Sequence, residues 1–167
     1  MFLTLLNCQN AEKKSIQIVE KDFCLLGKEN DSIAVELNLS EFNDWKKILE
    51  RTEQIVCNDS LPKVTLKNDS VIKRVYLRNP CWEGLACILV KQKNVIEIHN
   101  DTINKADENF YPLDSLPHIL KRDLENNGKK PRLSDNPEKL LICISYYKNG
   151  IEKLPNTLSK LTTSFEQ

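Results

Sequence analysis

The sequence predicts an α+β fold: a mixed or antiparallel sheet of about seven strands with about three helices, arranged as one compact domain or two small subdomains. Three observations lead there. Short runs with period-two alternation recur along the chain, longer stretches space their apolar residues three and four apart, and Asn, Asp, Gly and Pro cluster between them. With 40% hydrophobic and 29% charged residues, the 167-residue chain can bury a sizeable core.

Taken in order, "SIQIVEKDFCLL" and "DSIAVELNL" read as strands, the second because Ile33, Val35 and Leu37 alternate with Ala34, Glu36 and Asn38. The period then changes: Phe42, Trp45, Ile48, Leu49, Ile55 and Val56 share a helical face over 41–56, with Ser40 as the expected N-cap and Trp45 in the core. "KVTLK" and "VIKRVYL" flank Asn68-Asp69-Ser70 as a hairpin. Strands near 86–91 and 94–99 are expected to meet at Lys93-Asn94. Leu113, Leu116, Ile119, Leu120 and Leu124 make a second helix, which Pro117 requires to start near Asp114 or Ser115 and Gly128 terminates. "NNGKKPRLSDNPEK" reads as a loop and "LLICISYY" as a buried strand. Ile151, Leu154, Leu158, Leu161 and Phe165 place a third helix at the end, with Pro155 in its first turn. The pattern divides into β-α-β-β over 16–85 and β-β-α-β-α over 86–167, behind residues 1–7 and a tether at 8–15.

Composition excludes several functions. Lysine plus arginine (24) balance aspartate plus glutamate (24) with no basic block, which argues against a nucleic-acid partner. Only four glycines and no apolar run near 18 residues leave neither a phosphate loop nor an internal membrane span. Any membrane contact is therefore expected at the N-terminus alone.

Cys8, Cys24, Cys57, Cys81, Cys87 and Cys143 include no C-x-x-C pair, and two histidines are too few to complete a zinc site, so no metal or cofactor is expected and disulfides are favoured. Cys81 and Cys87 flank the turn in "NPCWEGLAC" and are the expected bridge, with two core cysteines as the competing reading. Core packing is the default for Cys24, Cys57 and Cys143, with Cys24–Cys57 as a second conceivable bridge. His118 has Asp114 four residues before it and Arg122 four after, which reads as a solvated face with ion pairs, and His99 ends a strand. The Asn/Asp clusters at 58–60, 68–70, 99–102 and 133–138 lack EF-hand spacing and read as turns. No catalytic residue is nominated, because nucleophile-elbow, zinc-protease and paired-carboxylate patterns are all missing, and the chain is read as not an enzyme.

The opening "MFLTLLNCQNAEKKS" carries an apolar run into Cys8 and then turns abruptly polar. Leu5-Leu6-Asn7-Cys8 resembles the lipobox of a bacterial lipoprotein of Bacteroidetes type, with Leu5 three before the cysteine and Asn7 replacing the usual small residue. No Lys or Arg precedes Cys8, unlike an ordinary signal. The resemblance implies that residues 1–7 are a signal-peptide remnant and Cys8 the lipidation site. The alternative makes "FLTLL" a first strand and Cys8 a small buried hydrophobe. Further on, "YPLDSLPHIL" and "LLICISYYKNGIEKLPNTLSKL", in their order of strands and helices, weakly resemble the periplasmic domain of the ExbD/TolR biopolymer-transport family. That likeness implies protein contacts in the periplasm and no channel, since neither a membrane helix with an aspartate nor a last strand follows the pattern. The expectation is a non-catalytic envelope lipoprotein, held by its N-terminal lipid and binding an unidentified protein partner. The alternative is a soluble cytoplasmic interaction module or immunity-type protein with reduced cysteines.

Overall fold

In the computed structural model, residues 18–24, 28–79, 90–106 and 108–166 are described, with side chains from 31 onward in the second stretch. Two four-stranded mixed sheets and three α-helices make up these residues, an α+β fold. The first sheet contains β1 (Val19–Phe23), β2 (Ala34–Glu36), β3 (Leu61–Asn68) and β4 (Val71–Tyr76) in the order β1-β4-β3-β2. β3 and β4 form the predicted antiparallel hairpin, closed by Asp69-Ser70 with Asp69 at φ +43°. β1 pairs parallel to β4 and β2 parallel to β3, so both edges are crossover strands. The exposed β1 edge is charged: Glu20 and Asp22 both pair with Arg74, a pattern that discourages edge-to-edge association.

α1 (Trp45–Cys57) starts later than the sequence suggests. Asp44, and not Ser40, is its N-cap, accepting from Lys46 N at 2.8 Å. Ser40 lies instead in a single 3₁₀ turn over Leu39–Glu41 that Asn38 caps, which spends the preceding polar signal one turn early. Ile48, Thr52 and Ile55 form the buried stripe, while Leu49 is 40% exposed at the edge of the face.

The second sheet runs β7 (Tyr111–Pro112), β6 (Thr102–Lys105), β5 (Val95–His99) and β8 (Leu141–Ser145). β5 does not pair across Lys93-Asn94, which lie in a 3₁₀ turn over Gln92–Asn94. Its partners are β6, antiparallel, and β8, parallel. The two-residue turn Asn100-Asp101 has φ of +46° and +68°, the double left-handed backbone that matches strand twist in a tight hairpin. α2 (Leu116–Leu124) follows Ser115 as its N-cap and has Pro117 in its first turn, as Pro117 demands. α2 stops at Leu124, so Gly128, at φ +74°, lies beyond the helix end in the following loop.

α3 (Leu154–Ser164) joins the halves. Its Leu154 and Leu158, with Ile151 and Tyr146, close a cluster with Leu37, Ile48, Ile55, Val64 and Val75 of the first half. Leu161 faces the other way, into Ile96, Ile98, Ile103, Leu116, Ile119 and Leu120. Partly buried Ile144 touches both clusters, so the two stretches share an apolar interior. Phe165, expected on this face, is 41% exposed. Trp45 packs edge-on against Tyr146 at 5.2 Å, and its backbone N–H donates to Lys148 O at 3.0 Å.

The predicted Cys81–Cys87 bridge, the lipidation site Cys8, residues 1–7, the tether 8–15, most of the strand near 86–91 and the boundary at 85/86 lie outside the described residues.

Candidate functional site

Parallel pairing of β5 with β8 sets His99 directly opposite Ser145, the last residue of each strand. Side chains of paired residues lean to the same side, and His99 Nδ1 reaches Ser145 Oγ at 2.9 Å. Below them the chain turns through Asn100-Asp101, which brings the Asn100 amide under the imidazole. Asn100 Oδ1 accepts the Tyr147 backbone N–H at 3.0 Å, and Nδ2 lies 2.7 Å from His99 Nε2. Tyr147 is 73% exposed and sets its ring edge-on to His99 at 4.8 Å. Lys153 donates to Asp101 Oδ2 at 2.6 Å, whereas the buried Asp101 Oδ1 has no partner.

The network dictates a tautomer. A backbone N–H can only donate, so Asn100 presents Oδ1 to Tyr147 and Nδ2 to His99. His99 Nε2 must then accept, which leaves the proton on Nδ1, donated to Ser145 Oγ. A general base for a serine nucleophile needs its lone pair on that contact. This Ser–His pair therefore has the reverse polarity: it organises the strand ends and does not activate the hydroxyl.

Gly150 completes the turn after β8. A Cβ there would sit 2.9 Å from Tyr146 Cβ and 3.3 Å from Asn100 Oδ1, so only glycine lets the loop close over this site.

A second constellation lies in the interior. Lys105, 0% exposed, pairs with the equally buried Asp123 at 2.7 Å and also donates to Lys93 O. Asp123 Oδ1 accepts the Ser134 N–H at 2.9 Å, and Arg122 approaches its Oδ2 at 3.4 Å while pairing with Glu108 at 3.0 Å. Buried Asn126 holds the following loop from inside, donating to Ser134 O at 2.7 Å and to Lys130 O at 3.1 Å while accepting from Lys130 N at 2.8 Å. Asn94 Oδ1 accepts from Asp135 N at 2.9 Å and from the Ser134 hydroxyl. Asp135 also bridges Lys93 at 2.5 Å and Lys91 at 3.2 Å, and these bonds hold its carboxyl at about 2, below the usual carboxylate range. Such a network is costly unless every member is satisfied, and it fixes one arrangement of the chain.

Of the sequence-nominated residues, Asp114 pairs with Lys160 and not His118, and Arg122 pairs with Glu108 and Asp123. His118 is exposed. Cys24 and Cys143 are exposed free thiols, which replaces the expectation of core packing and excludes a Cys24–Cys57 bridge. Cys24 follows the end of β1 at φ +64°, and Cys143 faces out from β8, on the strand face opposite Ile142 and Ile144. Desolvation raises both thiols, with Arg78 opposing the rise at Cys24 and Glu97 adding to it at Cys143, and a raised thiol is a poor nucleophile. Cys57, at the end of α1, is disulfide-bonded. The Asn/Asp clusters form turns: Asp59, Asp69, Asn100 and Asp101 all adopt positive φ. Among the described residues no group of three or more His, Cys, Asp or Glu is arranged to hold a metal ion. Also among them, no helix is long and apolar enough to cross a membrane.

Sequence reading missed the His99–Ser145 contact because 46 residues separate its members. The signal was a shared pattern: "VIEIH" and "LICIS" each carry isoleucines at their second and fourth positions and end on a polar residue. No protein-family model matches this chain, and no curated protein or solved structure matches it either.

Proposed function

We propose that this chain is a non-catalytic lipoprotein of the bacterial cell envelope, anchored through Cys8 and acting by binding another protein. The Cys57 disulfide carries the reading, because a disulfide persists in an oxidising compartment and is rare where thiols are kept reduced. The lipobox-like Leu5-Leu6-Asn7-Cys8 agrees with export. The fixed polarity of His99 and Ser145 and the raised Cys24 and Cys143 thiols support a binding role over a catalytic one. Several acyl chains on one cysteine give stable anchoring where one gives marginal binding.

A second reading, a soluble cytoplasmic interaction module or immunity-type protein, is favoured by one observation: two exposed thiols, Cys24 and Cys143, stand free. Intact-mass spectrometry of the chain expressed in a bacterium separates the two. Cleavage before Cys8 with an added acyl mass is the expected result; an intact Met1 with six free thiols refutes the envelope reading and leaves the second.

A further inference from the structure

We propose that a groove between α2 and the loop at 126–136 binds an acidic segment of a partner protein, an inference that rests on the protein-binding role above. The groove, about 400 Å³, is lined by Glu108, Arg122, Lys130, Pro131, Arg132 and Leu133. Three cations face one carboxylate. Arg122 is already committed to Glu108 at 3.0 Å and Asp123 at 3.4 Å, while Lys130 and Arg132 have no ion-pair partner among the described residues. Buried Leu133 and the exposed Pro131 ring give the groove an apolar character. Such a lining suits a chain that alternates carboxylates with apolar side chains better than a free inorganic anion, which has no apolar part to set against Leu133 and Pro131.

The groove is also preorganised. Asn126 clamps both the N–H and the C=O of Lys130, and Asp123 fixes Ser134, so the segment bearing both unpaired cations is held at each end from the interior. A partner ordering against it loses entropy on one side only, which favours binding.

The test is an NMR titration of the full ¹⁵N-labelled chain with the peptide acetyl-Glu-Leu-Glu-Leu-Glu-amide, its glutamine counterpart, and inorganic phosphate. Saturable shifts confined to the Arg122 Nε–H and the amides of Lys130, Arg132 and Leu133 are expected with the acidic peptide only. The Nε–H is enclosed without a hydrogen-bond partner and reports rearrangement of its surroundings. Replacing Lys130→Glu with Arg132→Glu should weaken binding about tenfold or more, and the milder Lys130→Gln with Arg132→Gln should fall between. Shifts that phosphate or the glutamine peptide reproduces, shifts indifferent to both variants, or none at millimolar peptide overturn the inference. An acylated protein whose groove ignores the peptide overturns this inference alone. A groove that takes the peptide on a protein shown to be unacylated overturns the envelope reading alone.

Discussion

Replacing Lys105 by Met isolates the interior ion pair, since Met keeps most of the apolar stem and removes the charge. Lys105 and Asp123 are both 0% exposed and 2.7 Å apart, so the substitution leaves a buried carboxylate without its nearest counter-charge. Breaking a buried pair in this way costs about 3–5 kcal/mol. Arg122, already 3.4 Å from Asp123, and the Ser134 N–H compensate in part, which puts the expected loss at the low end, roughly 3 kcal/mol. For a chain of 167 residues that is a fall of roughly 6–12 °C in Tm. Pairing the change with Asp123→Leu removes the stranded charge but also the acceptor for Ser134. The double variant should therefore lose less than the sum of the singles, by roughly 1–3 kcal/mol of coupling. Equilibrium urea unfolding and calorimetry of all four proteins give the cycle. A Lys105→Met protein within about 1 kcal/mol of the wild type would refute the claim that this pair holds an uncompensated charge in check.

Gly150→Ala forces a methyl group to 2.9 Å from Tyr146 Cβ and should cost about 1–3 kcal/mol in urea unfolding; a neutral outcome would show that the loop yields freely. Asp135, held at about 2 by Lys93 and Lys91, has an unfolded value of about 3.9, so its contribution is full above pH ~4 and vanishes as pH falls toward ~2. The urea midpoint should drop across that window, and Asp135→Asn should flatten the drop; parallel curves for the two proteins would contradict this origin. Cys57→Ser should lower stability by about 2–5 kcal/mol without reductant and change little in its presence, and equal losses in both conditions would assign Cys57 a packing role instead.

The three helices were legible because their apolar spacing coincides with what they bury: Ile48 and Ile55, Leu116, Ile119 and Leu120, Leu154, Leu158 and Leu161 all lie inside. Strand β6 escaped because "TINK" sets Ile103 and Lys105 on the inward face. A lysine at an inward position erases period-two alternation, and it is tolerable there because Asp123, 18 residues away, and the Lys93 carbonyl receive its ammonium. The Asn100-Asp101 turn was read as a polar cluster, although a two-residue turn of this kind is itself a hairpin signal. "NNGKKPRLSDNPEK" reads as a loop and is one, but its composition does not show that Asn126, Leu133 and Ser134 are buried. Asn126 bonds within the loop, but the partners of Ser134, Asn94 and Asp123, come from outside it, and composition carries no trace of such long-range pairing. The Ser40 misassignment was local: two capping residues, Asn38 and Asp44, bracket it and each starts its own turn.

The cluster that runs from Leu37 to Leu158 also sets a timetable. By the time Tyr76 has been synthesised, every strand of the first sheet has its hydrogen-bonding neighbours, but Ile48, Val64 and Val75 still await Tyr146, Ile151, Leu154 and Leu158. About 80 further residues must emerge, which at roughly 5–20 residues per second is several seconds of translation. Throughout that interval the nascent N-terminal half exposes an unfinished oily surface and stays open to chaperones and to any machinery that handles unfolded chains.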